Sequence, residues 1–394
     1  MKLACVVHRF GADIAGGSEG HCRLIAERLA ARHDVTVLTT TATDHVSWRS
    51  ELPPGSCSVG PLQVLRFPVV RQRSIRDFAD LSDRVFRGGS SDAEQESWFR
   101  ENGPQAPALL EYLTEHGPSY DRILFWSFRY YQSFFGVPLV ADRAVLLPTA
   151  EDDPAIRLGV LSRYFTTPSG LIFLTPEEQA LVARQASGPL APSCIIGCGI
   201  DSPSPTARHV SLGPLGVTPP YVLYLGRVDP NKGCGTLLRF FTRWIEHTGA
   251  TVPLVMAGPA NMPIPDHRYV RSLGFVEAAT RDALLAQATL LVVPSPFESL
   301  SMVLLEAWNH AVPALVNGRC AVLKGQARRS GAALYYQNYD EFAEGLRTLL
   351  NRPDLASQLG RAGQAYVEAT YRWPVVLQAL ETYLASLGRP AGMG

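Results

Sequence analysis

Residues 3–40 read LACVVHRFGADIAGGSEGHCRLIAERLAARHDVTVLTT, and this stretch decides the fold. Leu3 to Val7 is an unbroken apolar run with the length of a buried strand. A loop holding Gly11, Gly16 and Gly17 follows. Cys22, Ile25, Ala26, Leu29 and Ala30 then recur at the i, i+3, i+4, i+7, i+8 spacing that puts apolar side chains on one helix face. Val35 to Thr40 reads as a second strand. Strand, helix and strand in this order form a βαβ unit, which implies a parallel sheet with helices on its faces.

Working outward, Ile123 to Trp126, Ala144 to Leu147 and Gly170 to Thr175 read as further strands. The last of them ends at a helix-start signal, Thr175-Pro176-Glu177-Glu178. Asp201 to Pro220 is rich in Pro, Ser and Gly and reads as a linker. A second alternating series begins beyond it. Strands are expected at Tyr221–Leu225, Pro253–Ala257, Leu290–Pro294 and Val312–Val316, and helices at 235–247, 280–288 and 300–310. The fold class expected is therefore α/β, with two doubly wound domains facing across a cleft. Their expected bounds are 1–201 and 221–372, joined by a linker at 202–220 and followed by a C-terminal helical segment at 373–394. Ligands in such sheets bind at the carboxyl ends of the strands.

Composition narrows the function class. A chain of 394 residues has room for two or three domains, and 46% apolar residues supply real cores. The 36 basic and 36 acidic residues cancel, which argues against a nucleic-acid partner. The seven cysteines are scattered and include no C-x-x-C pair, so neither a disulfide framework nor a zinc site is expected. Reduced thiols, an N-terminal apolar run too short for a secretory signal, and the lack of any window long enough to span a bilayer point to the cytoplasm. Arg outnumbers Lys 33 to 3, which draws attention to each lysine.

Three constellations carry candidate chemistry. Gly16-Gly17-Ser18-Glu19 joins the first strand to the first helix. Its glycines are adjacent rather than in the G-x-G-x-x-G order of dinucleotide sites, so it is either an ordinary turn or a place where backbone meets a phosphate. Arg227 and Lys232 flank the turn Asp229-Pro230-Asn231 ahead of a helix. Two cations are unfavourable beside a helix N-terminus unless an anion lies between them. The third runs from Pro294 to Ala307, PSPFESLSMVLLEA, and crosses from a strand into a helix. Seven residues lie between Glu298 and Glu306, an eight-residue step of about 12 Å if helical, which is comparable to a nucleoside diphosphate. The backbone N–H groups near Leu300, Ser301, Met302 and Val303 are suited to a phosphate. Glu306 could accept from ribose hydroxyls and Glu298 from sugar hydroxyls.

These motifs, in this order, resemble glycosyltransferase family 4, the retaining enzymes of the GT-B fold. The match rests on Gly226-Arg227 with Lys232-Gly233, on the glutamates 298 and 306, on Gly16-Gly17-x-Glu19, and on Gly197-x-Gly199-Ile200-Asp201. The resemblance implies a donor nucleotide sugar, UDP- or GDP-linked, that is a substrate rather than a cofactor. It implies that Arg227 and Lys232 neutralise the diphosphate, that Glu298 holds the transferred sugar, and that the backbone at 300–303 binds the distal phosphate. Glu306 would hold the ribose, Phe275 and Val276 would lie near the base, and Gly17 would approach the phosphate. Glu151 stands where the family usually carries a sugar-facing His. The implied mechanism needs no protein nucleophile and no metal. The acceptor is a hydroxyl on a glycan, glycolipid or natural product. A GT-B nucleotide-sugar epimerase and a non-catalytic nucleotide-sugar-binding subunit are the competing readings. Residues 66–87, with six Arg against three Asp among apolar residues, suit either a solvated amphipathic helix, which is preferred, or contact with the inner face of an anionic membrane.

Overall fold

A computed structural model describes residues 1–14 and 16–388, so the expectation for 389–394 lies outside the described residues. The chain divides into two units: residues 1–199 together with the chain from 376 on, and residues 200–375.

The first unit is built on eight strands: β1 (Lys2–Val6), β2 (Asp34–Thr40), β3 (Gly55–Val59), β4 (Leu62–Phe67), β5 (Arg122–Trp126), β6 (Ala144–Leu147), β7 (Gly170–Phe173) and β8 (Ser193–Ile195). Their order across the sheet is β3-β4-β2-β1-β5-β6-β7-β8. All pairs are parallel except β3 with β4. Seven helices belong to this series: α1 (Gly17–Leu29), α2 (Ile75–Phe86), α3 (Asp92–Asn102), α4 (Pro107–His116), α5 (Tyr131–Gly136), α6 (Leu161–Tyr164) and α7 (Pro176–Gln185). The start of α7 follows its sequence signal, because Thr175 Oγ1 accepts the Glu178 N–H at 3.2 Å. Ala4, Val6, Leu38, Ile123, Phe125 and Leu146 meet Phe99, Leu109 and Leu113 of α3 and α4 in one buried core.

The second unit carries β9 (Val222–Leu225), β10 (Leu254–Ala257), β11 (Val270–Gly274), β12 (Leu290–Val293), β13 (Ala314–Asn317) and β14 (Ala333–Tyr336). Their order is β11-β10-β9-β12-β13-β14, parallel throughout. Its helices are α8 (Cys234–Thr248), α9 (Ala278–Gln287), α10 (Met302–Asn309), α11 (Ala321–Ser330), α12 (Tyr339–Asn351) and α13 (Pro353–Thr370), and α14 (Trp373–Ser386) follows them in the chain. The apolar stripe of α8, Leu237, Leu238, Phe241, Trp244 and Ile245, packs with Val222, Met256 and Val292 of the sheet.

Two expectations need correction. Residues 202–220 are not a free linker. Ala207, Leu212 and Val217 are buried, and Gln287 of α9 donates to the carbonyls of Ala207 and Val210 at 3.2 and 2.8 Å. Spaced apolar residues fasten this Pro-rich stretch to the second unit. Nor are residues 66–87 one helix, because β4 ends at Phe67 and α2 begins at Ile75, capped by Ser74. Half of the arginines there are engaged within the unit. Arg66 is buried, Arg71 pairs with Glu101, and Arg73 donates to the carbonyls of His45, Val46 and Asn102. Arg76, Arg84 and Arg87 share their segment with Asp77, Asp80 and Asp83. No helix among the described residues is long and apolar enough to cross a membrane.

Candidate functional site

In an open α/β sheet, ligands gather where neighbouring strands send their crossovers in opposite directions. In the second unit that place lies between β9 and β12, and in the first unit between β1 and β5. Gly16 and Gly17 follow β1, Arg227 and Lys232 follow β9 and Glu298 follows β12, all of which border these places, whereas Glu151 follows β6 and Phe275 and Val276 follow β11, which do not.

In the second unit, Arg227 follows β9 and Glu298 follows β12. Asp229 caps the turn between Arg227 and Lys232 by accepting the Asn231 N–H at 2.9 Å, and its carboxylate lies 3.4 Å from Arg227 Nε. Gly233 ends that turn in the left-handed region (φ 74), where a Cβ would lie 2.3 Å from the Pro294 carbonyl oxygen. Only glycine permits this approach of the two loops. The approach brings Lys232 Nζ within 2.9 Å of Glu298 Oε1, a half-buried contact. The loop of Glu298 is held from beneath, because Asn317 Nδ2 donates to the Pro294 and Ser295 carbonyls and Ser295 Oγ donates to the Phe297 carbonyl.

Ser301 opens α10 in the left-handed region (φ 69), which costs a non-glycine residue about 1–2 kcal/mol. Such strain is concentrated at functional loops. No side chain caps α10, so its first N–H groups, including those of Met302 and Val303, point out of the helix start without an intrahelical partner. Leu300 is buried and helps anchor the turn. Glu306 lies about one turn into α10, not two, because residues 298–301 are not helical, and it pairs with Arg281 of α9. Burial works against the charge of Arg281, but Glu306 outweighs it and holds the guanidinium above its ordinary pKa. Phe275 is 71% exposed just beyond β11, with the half-buried Val276 beside it. The structure thus joins Lys232 to Glu298, keeps Arg227 beside Asp229 on the same turn as Lys232, sets Glu306 beside Arg281, and leaves Phe275 projecting at the end of the edge strand β11.

In the first unit, Gly16 and Gly17 have different reasons to be glycine. A Cβ on Gly16 would fall 2.2 Å from the Glu19 carboxylate. That carboxylate cannot retreat, because His8 Nε2 donates to it at 2.9 Å and Arg9 pairs with it, all three side chains being buried. Burial opposes the charge of Glu19, yet His8 and Arg9 hold its carboxyl well below the usual range. A Cβ on Gly17, in contrast, would meet nothing. His8 also stacks on Tyr130 at 3.7 Å, which connects this loop to the residues after β5. Next to Tyr130, Arg129 donates to Asp153 at 2.7 Å and lies 4.0 Å from Glu151. Burial disfavours the Arg129 charge, but Asp153 and Glu151 more than compensate. Glu178 is fully buried and accepts the N–H groups of Ala150 and Leu174 at 2.7 and 2.6 Å, which ties down the loop carrying Glu151. Burial pushes the Glu178 carboxyl up, to about 8, against the two N–H groups that favour its ionised form.

Sequence reasoning missed Arg129, Arg281 and the anchoring roles of Glu19 and Glu178. Arg129 had a signal, a cation just past a buried strand. Arg281 had none, since its partner is 25 residues away on another helix. Among the described residues, no group of three or more His, Cys, Asp or Glu is arranged to hold a metal ion.

Residues 219–352 match the family model for glycosyl transferases group 1. An uncharacterised glycosyltransferase of Methanocaldococcus jannaschii is 26% identical over 162 residues, 39% of this chain and 41% of the relative. A glycogen synthase of Mycobacterium tuberculosis is 28% identical over 239 residues, 54% of this chain and 56% of the relative. The chain thus spans about half the length of the curated relatives it matches. Among solved structures, Anabaena HepE in complex with UDP and glucose superposes with a TM-score of 0.69 at 17% identity, covering 98% of this chain and 100% of that one. The chain has the GT-B fold of two Rossmann-like units, and its second unit carries the match to glycosyl transferases group 1.

Proposed function

We propose that this chain is a retaining glycosyltransferase that moves a sugar from a UDP- or GDP-linked donor to a hydroxyl on a glycan, glycolipid or natural product. The observation that carries the proposal is the Lys232–Glu298 contact beside Arg227 and the uncapped start of α10. Cations, a helix start and a carboxylate at one strand-end crevice suit a diphosphate with a sugar attached. On this reading Arg227, Lys232 and the N–H groups at 300–303 take the diphosphate, Glu298 accepts from the sugar hydroxyls, and Glu306 meets the ribose. Phe275 and Val276 border the base. In the first unit, Gly17 offers open backbone to a phosphate, and Glu151, steadied by Arg129, accepts from a hydroxyl of the sugar or acceptor. UDP in the solved relative HepE supports a nucleotide donor.

The reaction breaks the bond between the anomeric carbon and the diphosphate oxygen. The acceptor hydroxyl attacks that carbon on the leaving-group side, and the departing phosphate oxygen takes the hydroxyl proton. The protein's work is positioning and stabilising the charge that builds on the diphosphate. Arg227 and Lys232 supply the opposing positive charge, so the proposed reaction requires no metal.

The test is calorimetry with UDP and GDP. Arg227→Ala and Lys232→Ala should each weaken diphosphate binding about tenfold or more, the value of a charge-assisted contact, with circular dichroism unchanged. Equal affinity in wild type and both variants would overturn the assignment.

A further inference from the structure

Arg281 has no part in the function proposed above, yet it pairs with Glu306, the residue assigned there to the ribose. Its guanidinium is 41% exposed and bonds to Glu306 through Oε2 alone. Glu306 Oε1 accepts no hydrogen bond among the described residues, and the other side-chain N–H groups of Arg281 donate to none. The pair therefore offers an open anionic acceptor and open cationic donors side by side.

We propose that Arg281 and Glu306 together read the vicinal hydroxyls of the donor's ribose: one hydroxyl donates to Glu306 Oε1, and the oxygen of its neighbour accepts from Arg281. This inference rests on the proposed function and deepens it, because it makes the chain selective for ribonucleotides over 2′-deoxyribonucleotides. A carboxylate alone can only accept, so it uses the two hydroxyls as donors and leaves their lone pairs unmet. An arginine beside it satisfies a lone pair as well, and its planar fork reaches past the carboxylate without giving up the ion pair. The bland reading is that Arg281 merely staples α9 to α10. That task already has an occupant, since Asp282, the next residue, accepts from His310 Nε2 at 2.6 Å between the same two segments. The Asp282–His310 contact thus provides an internal control.

The experiment titrates wild type, Arg281→Met, Arg281→Lys and Asp282→Asn with UDP, GDP and their 2′-deoxy counterparts. Wild type should favour the ribonucleotide about tenfold. Arg281→Met should reduce the preference to about twofold, and Arg281→Lys, which keeps a donor but not the fork, should retain part of it. Asp282→Asn should keep the full preference even if its melting temperature falls. Equal binding of ribo- and deoxynucleotides by wild type overturns the inference and leaves the proposed function standing. So does an unchanged preference in Arg281→Met, or the same collapse in Asp282→Asn. If wild type binds none of the four nucleotides, the proposed function fails and this inference fails with it.

Discussion

Gly16 and Gly17 are identical in sequence and opposite in environment. A methyl group on Gly16 collides with a carboxylate pinned by His8 and Arg9, whereas one on Gly17 points into open space. Gly16→Ala should therefore destabilise the protein by about 1–3 kcal/mol, the usual effect of overpacking. Gly17→Ala sits at the start of α1 and should leave stability within about 1 kcal/mol of wild type, while slowing sugar transfer. Thermal denaturation and turnover separate the two. A Gly17→Ala protein that turns over normally would show that no ligand approaches there. Glu151 lends itself to a similar split. Arg129 supplies a cation beside it, so its carboxylate is not stranded. Glu151→Gln should cut turnover far more than donor binding, and wild-type turnover in Glu151→Ala would make the residue a bystander. At this scale the sequence displayed the residue types but not their partners. The pairing of Glu306 with Arg281, or of Glu19 with Arg9, depends on how elements pack and leaves no local periodic trace.

Elements were more legible than contacts. The strand β12 is an unbroken apolar run, β5 is one after its first residue, Arg122, and α8 shows a full apolar stripe, so each was recognisable within a few residues of its observed limits. The β3–β4 hairpin was not, because β3 reads GSCSV, lies at the sheet edge and is largely exposed. An edge strand buries too little to need an apolar run. The Pro-rich stretch 202–220 misled in the opposite sense, since turn residues dominate its composition while a few apolar side chains fix its position. One element-scale device carries a pH signature. Glu178 in α7 holds the loop after β6 through Ala150 and the end of β7 through Leu174, and burial raises its carboxyl from an ordinary 4.5 to about 8, with Glu151 adding to the rise. Between those two values the unfolded chain has released this proton and the folded chain still holds it, so its contribution to stability falls as pH rises. Glu178→Gln has nothing to titrate there. Its melting temperature relative to wild type should therefore improve as pH goes from about 5 to about 8. A constant difference across that range would show that Glu178 is ionised throughout.

For the whole molecule, alternating strands and helices announced two α/β units, but no local pattern states the order of strands in a sheet. That order, β11-β10-β9-β12-β13-β14, is what puts Arg227 and Glu298 at one crevice although 71 residues of chain separate their numbers. The zero net charge hid a second fact, that the cations of the site are already matched: Arg227 with Asp229, Lys232 with Glu298, Arg281 with Glu306. Because Arg227 and Lys232 serve the proposed reaction, transfer should continue in excess EDTA. Activity lost to the chelator and restored by Mg²⁺ or Mn²⁺ would refute that. The Lys232–Glu298 contact also bears on how a turnover ends. On the proposed reading, a sugar nucleotide would break that contact but give each partner a replacement, diphosphate for the lysine and sugar hydroxyls for the glutamate. Once the sugar has left, the spent nucleotide satisfies only the lysine, and the glutamate competes to take it back. On that reading the Lys232–Glu298 contact acts as an ejector, and the leaving product should bind less tightly than the arriving donor. Removing the competitor should expose this: Glu298→Gln should hold UDP or GDP longer than wild type in stopped-flow dissociation, while transferring sugar more slowly.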